Sequence, residues 1–193
     1  RIKSVTENIL KKYPFEHVYK KIDSVLRGNI ATEIGIIIKE AGYDAALICP
    51  AFPNEGRTTV GGFHLVKGIP LQRTEVSRDP LCPVSESDIL SILRNQMPKE
   101  GRDSVALLSL DVVMKGAGPV LAKLNELISA GKKYIVADAV STTDLEQIAL
   151  AITKSTYNVL PAGSAGLGQA MSKIWHPVSD NETRSDILIP KLP

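Results

Sequence analysis

The stretch KKIDSVLRGN, residues 20–29, gathers Lys21, Asp23, Ser24, Arg27 and Asn29 at one strand-to-helix junction. Lys21 and Arg27, with Arg57 from a later loop, are the residue types that hold an anion. A guanidinium can grip a carboxylate through two parallel hydrogen bonds. Asp23 and Asn29 suit hydroxyl groups. Plainer uses exist beside these: Asp23 or Ser24 can cap a helix, and Arg27 can pair with Glu33 or Glu40 on the helix that follows. His64, within GGFHLV, is either a half-buried strand histidine or a ligand-binding one. Asp138, at the end of YIVAD, fits a substrate contact or a capping network equally well. GSAGLGQA, residues 163–170, is spaced G-x-x-G-x-G, which is neither the dinucleotide fingerprint nor a P-loop. Its glycines either let a helix pack close to a sheet or leave amides around Gly163 and Ser164 free for an anion. The set suits a small, polyhydroxylated, negatively charged molecule. No HExxH, CxxC or carboxylate cluster points to a metal, and no GxSxG elbow points to a hydrolase.

Positioning such residues requires a sheet whose strand ends meet at one edge. Strand-like runs alternate with helical patterns along the chain. HVYKKID (17–23) leads to NIATEIGIIIKEAG (29–42), where Ile30, Ile34, Ile37 and Ile38 share a helical face. DAALICPAF (44–52) is a continuous apolar run, as in a parallel strand buried on both faces. SVALLSL (104–110) with 119–132, YIVADAV (134–140) with 143–153, and YNVLPAG (157–163) with 164–175 repeat the pair. Four or five βα units in series predict an α/β fold, three-layer and doubly wound, with a mainly parallel sheet and right-handed crossovers. Residues 53–83 break the rhythm. They read as a Gly/Pro-rich loop and two short strands around Lys67-Gly68, a hairpin-bearing insertion of the kind that carries function.

The 193 residues are 44% hydrophobic and 5% aromatic, enough for one substantial core. The net charge of +2 comes from interspersed signs, without the basic run or basic-aromatic stripe of a nucleic-acid surface. Apolar stretches fall far short of the ~20 residues of a membrane span. Cys49 lies in an apolar run and Cys82 between prolines, which suits a reduced, cytoplasmic setting. The chain starts without Met, its stretch 176–186 is polar and linker-like, and ILIPKLP reads as a strand about to begin. These features predict a piece of a larger protein, with a substrate-binding domain over 1–175 and a linker over 176–193.

KKIDSVLRGNI, CPAFPNEGRTTVGGFHLVKGIPL, TEVSRDPLCPV, ADAVSTTDLEQIA and GSAGLGQAM, in that order from about residue 18 to 172, resemble the four-carbon acid sugar kinase family. One departure is Val25, where the family usually carries Thr. The resemblance implies an N-terminal substrate-binding α/β domain followed by a nucleotide-binding domain. It implies transfer from ATP, with Mg2+, to the terminal hydroxyl of threonate, erythronate or 3-oxo-tetronate. It further implies that Lys21 and Arg27 hold the substrate carboxylate or neutralise transferring phosphate, that Asp23 and Asn29 hold hydroxyls, and that Arg57 closes the pocket with the backbone of Gly61 and Gly62. The family's opening acidic motif, which precedes this chain, is the first choice for general base and Asp23 the second. The expected partner is a small-molecule sugar acid, with a homodimer also admitted. A non-catalytic sugar-acid binding module and a dinucleotide-dependent oxidoreductase are the competing readings, the second disfavoured by the glycine spacing.

Overall fold

The computed structural model describes Ile9 and residues 15–176. Its elements in chain order are β1 (Lys20–Lys21), α1 (Ile30–Ala41), β2 (Ala45–Cys49), β3 (Arg57–Val60), β4 (Phe63–Val66) and β5 (Ile69–Pro70), then α2 (Ile89–Asn95) and β6 (Val105–Leu108). They continue with α3 (Leu110–Val113), α4 (Ala117–Ser129), β7 (Tyr134–Ala137), α5 (Thr142–Lys154), β8 (Val159–Gly163) and α6 (Ala165–Trp175). The expected linker and the following strand start, residues 177–193, lie outside the described residues.

Five strands form one parallel sheet in the order β1-β8-β2-β7-β6. All five residues of β2 are buried, as its continuous apolar run requires of a central strand covered on both faces. Alternation along β2 divides the interior in two. Ala45, Leu47 and Cys49 join Val120, Leu124, Ile148 and Met171 from α4, α5 and α6. Ala46 and Ile48 join Ile30, Ile34 and Ile38 of α1 and Ile89 and Leu93 of α2. The result is the expected three-layer, doubly wound α/β architecture. β1 is much shorter than the expected run over 17–23, because it is an edge strand paired only with β8.

The insertion differs from its expected form. It is a three-stranded antiparallel sheet, β3-β4-β5, with two two-residue turns instead of one. Gly61 (φ 60) and Gly62 (φ 80) make the first, and Lys67 (φ 52) and Gly68 (φ 77) the second. Positive φ at both central residues is the turn geometry that matches strand twist. An isolated bridge between Thr59 and Ala139 attaches this small sheet to the end of β7.

α5 starts with a capping box. Ser141 Oγ accepts the Asp144 amide at 3.1 Å, and Asp144 Oδ2 accepts the amides of Ser141 and Val140. Ser141→Ala should cost about 1 kcal/mol, read as a lower urea midpoint with unchanged slope. An unmoved midpoint would remove this cap from the account of the helix.

Candidate functional site

Parallel strands bring their carboxyl ends to one edge, where open α/β sheets bind ligands. Here that edge carries Asp23 and Ser24 after β1, Ala51 and Phe52 after β2, Asp138 after β7 and Ser164 after β8. The insertion sheet lies against it. Arg57 comes from the start of β3, directly after a left-handed Gly56, and His64 from β4.

The junction after β1 is a tight loop. Leu26 donates its amide to the Asp23 carbonyl at 3.0 Å and takes φ 64, an uncommon conformation for a side chain buried in the core. Such local strain persists only where the surroundings over-determine it, and it concentrates at ligand clamps. The loop exposes Arg27 and Asn29 and leaves Asp23 and Ser24 half-buried. Arg27 donates Nε to Asp23 Oδ2 at 2.6 Å and Nη1 to Asp79 Oδ2 at 3.2 Å. The alternative pairing of Arg27 with Glu33 or Glu40 is therefore corrected: Glu33 holds Lys20 at 2.5 Å instead. Lys21 is exposed and its Nζ curls back to the Ile22 carbonyl at 2.5 Å. Asn29 precedes α1 as its N-cap but makes no side-chain capping bond, so Asp23 and Ser24 are not the caps of this helix either.

Asp79 is a residue that sequence reading missed, although its signal was present. Its Oδ1 accepts the amides of Leu81 and Cys82 at 2.9 and 3.0 Å, the local turn that an Asp before Pro favours. These amides first, and Arg27 after them, hold its carboxyl below the usual range.

His64 is fully buried and is the hinge between the two motifs. Its Nε2 lies 2.8 Å from the Ser24 carbonyl, which can only accept, so Nε2 carries the proton. Nδ1 then accepts from Thr59 Oγ1 at 3.2 Å. The His64 pKa is lowered to about 4, by burial first and by Arg57 in addition, while the Ser24 carbonyl and Asp23 act the other way. Both ring nitrogens are occupied by protein, so His64 orders the site rather than meeting a ligand.

Asp138 has no exposed surface, and all of its partners are backbone donors. Oδ2 accepts from Gly61 and Leu110 at 2.8 and 3.0 Å, and Oδ1 from Gly62 at 2.9 Å. Burial raises its pKa, opposed by those three bonds. The Gly61 and Gly62 amides expected to face a ligand are thus engaged within the protein. Ser164, also buried, donates to the Ala51 carbonyl at 2.7 Å and caps α6 by accepting from Gly166 at 3.1 Å. A Cβ at Gly163 would sit 2.5 Å from the Cys49 carbonyl oxygen, and one at Gly166 2.8 Å from that of Ala51. Close packing, the first of the two readings of GSAGLGQA, accounts for these two glycines.

Arg57 donates to the Glu55 carbonyl at 2.7 Å and carboxylate at 3.3 Å, while its Nε is buried without a hydrogen-bond partner. An unsatisfied guanidinium donor is costly to leave unmade and marks a place where an acceptor belongs. Cys49 is buried and its thiol is pushed up to about 12, which removes it as a nucleophile. A cleft of about 110 Å³ beside Phe52, Asn54, Thr142 and Gln169 is crossed by the Lys173–Glu146 ion pair. Asp23, Arg27, Arg57 and His64 take no part in its lining.

Guanidinium and carboxylate groups thus lie at the strand-end edge of a doubly wound α/β domain, the edge where folds of this class bind ligands. The chain belongs to the family of sugar-binding N-terminal domains, whose family model matches residues 1–171. It is 40% identical over 131 residues to a protein of Heliobacterium modesticaldum named D-erythronate kinase, covering 67% of this chain and 29% of that protein. It is 34% identical over 161 residues to one of Bordetella bronchiseptica named D-threonate kinase, covering 83% of this chain and 36% of that protein. A solved structure from Bordetella bronchiseptica, titled a domain of unknown function (DUF1537) with bound citrate and a domain-swapped dimer, superposes with a TM-score of 0.72. It is 31% identical, and the match covers 90% of this chain and 40% of that one. The chain thus spans about a third of the length of the curated relatives it matches.

Proposed function

We propose that this chain is the acceptor-binding part of an ATP-dependent kinase that phosphorylates the terminal hydroxyl of a four-carbon sugar acid of the threonate, erythronate or 3-oxo-tetronate type. What supports this reading is that Arg27 pairs with Asp23 in the loop after β1, that Asp23 and Arg57 both act electrostatically on His64, and that the chain's relatives are named for kinases of such acids. A four-carbon acid has one carboxylate and several hydroxyls. Arg27, Arg57 and Lys21 match the first by charge, and Asp23 and Asn29 match the second.

Arg27 is held on its carboxylate side by Asp23 and Asp79, which fixes its guanidinium before substrate arrives. Preset geometry of this kind lowers the ordering cost of binding. Phosphoryl transfer rests chiefly on positioning and charge neutralisation, so the acceptor domain's task is to aim one hydroxyl. The ion pair with Arg27 favours the charged form of Asp23 and makes it a weaker base, which keeps the acidic motif of the family ahead of it in that role. ATP is the donor. Mg2+ is placed with the nucleotide, as the family resemblance implies, and no step here runs through it. No helix among the described residues is long and apolar enough to cross a membrane, and we place the protein in the cytoplasm. A homodimer is the assembly we propose.

The test is ATP consumption by the intact protein that carries this chain, across the epimers of threonate, erythronate and 3-oxo-tetronate. One acid should turn over, and Arg27→Ala should lower its kcat/KM by about 100-fold, Lys21→Ala by less. Silence with every acid, from folded protein that still binds ATP, would end the substrate assignment. Binding of an acid without turnover would favour the binding-module reading.

A further inference from the structure

We propose that Asp138 is a positioning residue. It latches the turn of the insertion sheet to the sheet edge, so that Arg57 and His64 face the loop of Asp23 and Arg27, and it does not touch the sugar acid itself. The inference rests on the acceptor-site reading above.

Three features carry it. Asp138 is fully buried, so no ligand reaches it while the turn is in place. Its two oxygens collect the amides of Gly61, Gly62 and Leu110, which lie 77, 76 and 28 residues away in the chain. One carboxylate thus joins the end of β7, the tip of the hairpin and the start of α3. The two left-handed glycines turn successive amides toward a single point, the arrangement that ordinarily receives an anion. Here the anion is the protein's own, which leaves no vacancy for a substrate carboxylate or phosphate at that turn.

From the latch a continuous path leads to the site. Thr59 exchanges backbone hydrogen bonds with Ala139 at 2.9 and 3.1 Å, one residue beyond Asp138. The Thr59 hydroxyl orients His64, and His64 holds the Ser24 carbonyl. Arg57 begins the same strand as Thr59. A turn released from Asp138 frees the strand that presents Arg57, and a guanidinium that must be ordered on binding loses affinity.

The decisive experiment compares wild type, Asp138→Asn and Leu110→Pro in the intact protein. Leu110 is the first residue of α3, where proline is tolerated, so that variant deletes one donor to the latch with little other change. Ser141→Ala serves as the control, because it removes the α5 cap three residues along the chain without removing a latch bond. Amide exchange over residues 57–66 and the KM and kcat for the preferred acid are measured well below melting. In Asp138→Asn, exchange at the turn and the KM should each rise about tenfold with kcat little changed, more weakly in Leu110→Pro, and neither in Ser141→Ala. Unchanged exchange at the turn, or faster exchange with an unchanged KM, overturns the proposal. If wild type accepts no acid, the acceptor-site reading is what has failed, and turn exchange alone then decides whether the latch exists.

Discussion

Gly163→Ala is expected to lower the melting temperature by about 10 °C. Gly163 closes β8 between β1 and β2, in register with Lys21 on one side and Cys49 on the other. An added Cβ would lie 2.5 Å from the Cys49 carbonyl oxygen, 2.7 Å from the Tyr19 hydroxyl and 2.9 Å from the Leu167 Cβ. None of the three can retreat cheaply. The Cys49 carbonyl accepts the Ser164 amide at 3.3 Å, Tyr19 donates to the Ser164 carbonyl at 2.6 Å, and Leu167 is fully buried in α6. Overpacking of a close-packed core costs about 1–3 kcal/mol and more where backbone must move, so about 3 kcal/mol is expected here. For a domain of this size that corresponds to the stated shift. Gly168→Ala is the matched control. Its Cβ would meet only the Tyr19 ring at 3.4 Å, and alanine is the better helix former, so its melting temperature should hold or rise. Equal losses at both positions would refute the close-packing account of GSAGLGQA.

Acidification from pH 7 to 5 should remove about 2 kcal/mol of stability that His64 alone controls. The folded state holds the His64 pKa at about 4, below the ordinary 6.5 of the unfolded chain. The unfolded state therefore binds the proton more readily. The contribution is complete above pH 6.5, is lost as pH falls toward 4, and amounts to about 3 kcal/mol in total. The cause is burial first, with Arg57 adding to it. Urea midpoints at pH 7 and 5 for wild type and His64→Gln would show it: the wild-type midpoint should fall and the variant's should stay nearly level. The same fall in both proteins would assign the acid sensitivity to carboxylates instead. Because His64 joins the insertion to the first motif, the weakened link should also be visible in acid as lower protection factors around Ser24, each rate being compared with the intrinsic rate at the same pH.

Much of the architecture was legible in the sequence because its signals are local. The run AALIC has no polar residue to turn outward, so it had to be a strand covered on both faces, and it became β2. Ile30, Ile34 and Ile38 recur at helical spacing and became the buried face of α1. Polar residues placed just after such strands had to collect at one edge, as Asp23, Asp138 and Ser164 do at the ends of β1, β7 and β8. The turn at Lys67-Gly68 was legible in the same way, whereas the one at Gly61-Gly62 was not singled out, and only the pairing of β3 with β4 showed that both are used.

What the tertiary structure decided is which partner each polar group takes. Asp138 was as suited to a ligand as to a cap, and it became a latch on amides up to 77 residues away. Arg27 had acidic candidates on the helix that follows, Glu33 and Glu40, yet it pairs with Asp23 and Asp79, the latter 52 residues distant. His64 was ambiguous until the Ser24 carbonyl and the Thr59 hydroxyl claimed its two nitrogens. The physical reason is one of range. Burial periodicity follows from backbone geometry within a few residues, whereas a hydrogen bond forms only within about 3 Å of a partner, a condition that chain folding alone can meet. The sequence by itself determined the sheet, its edge and the residues available there, and the tertiary structure determined which of them remain free to meet a ligand.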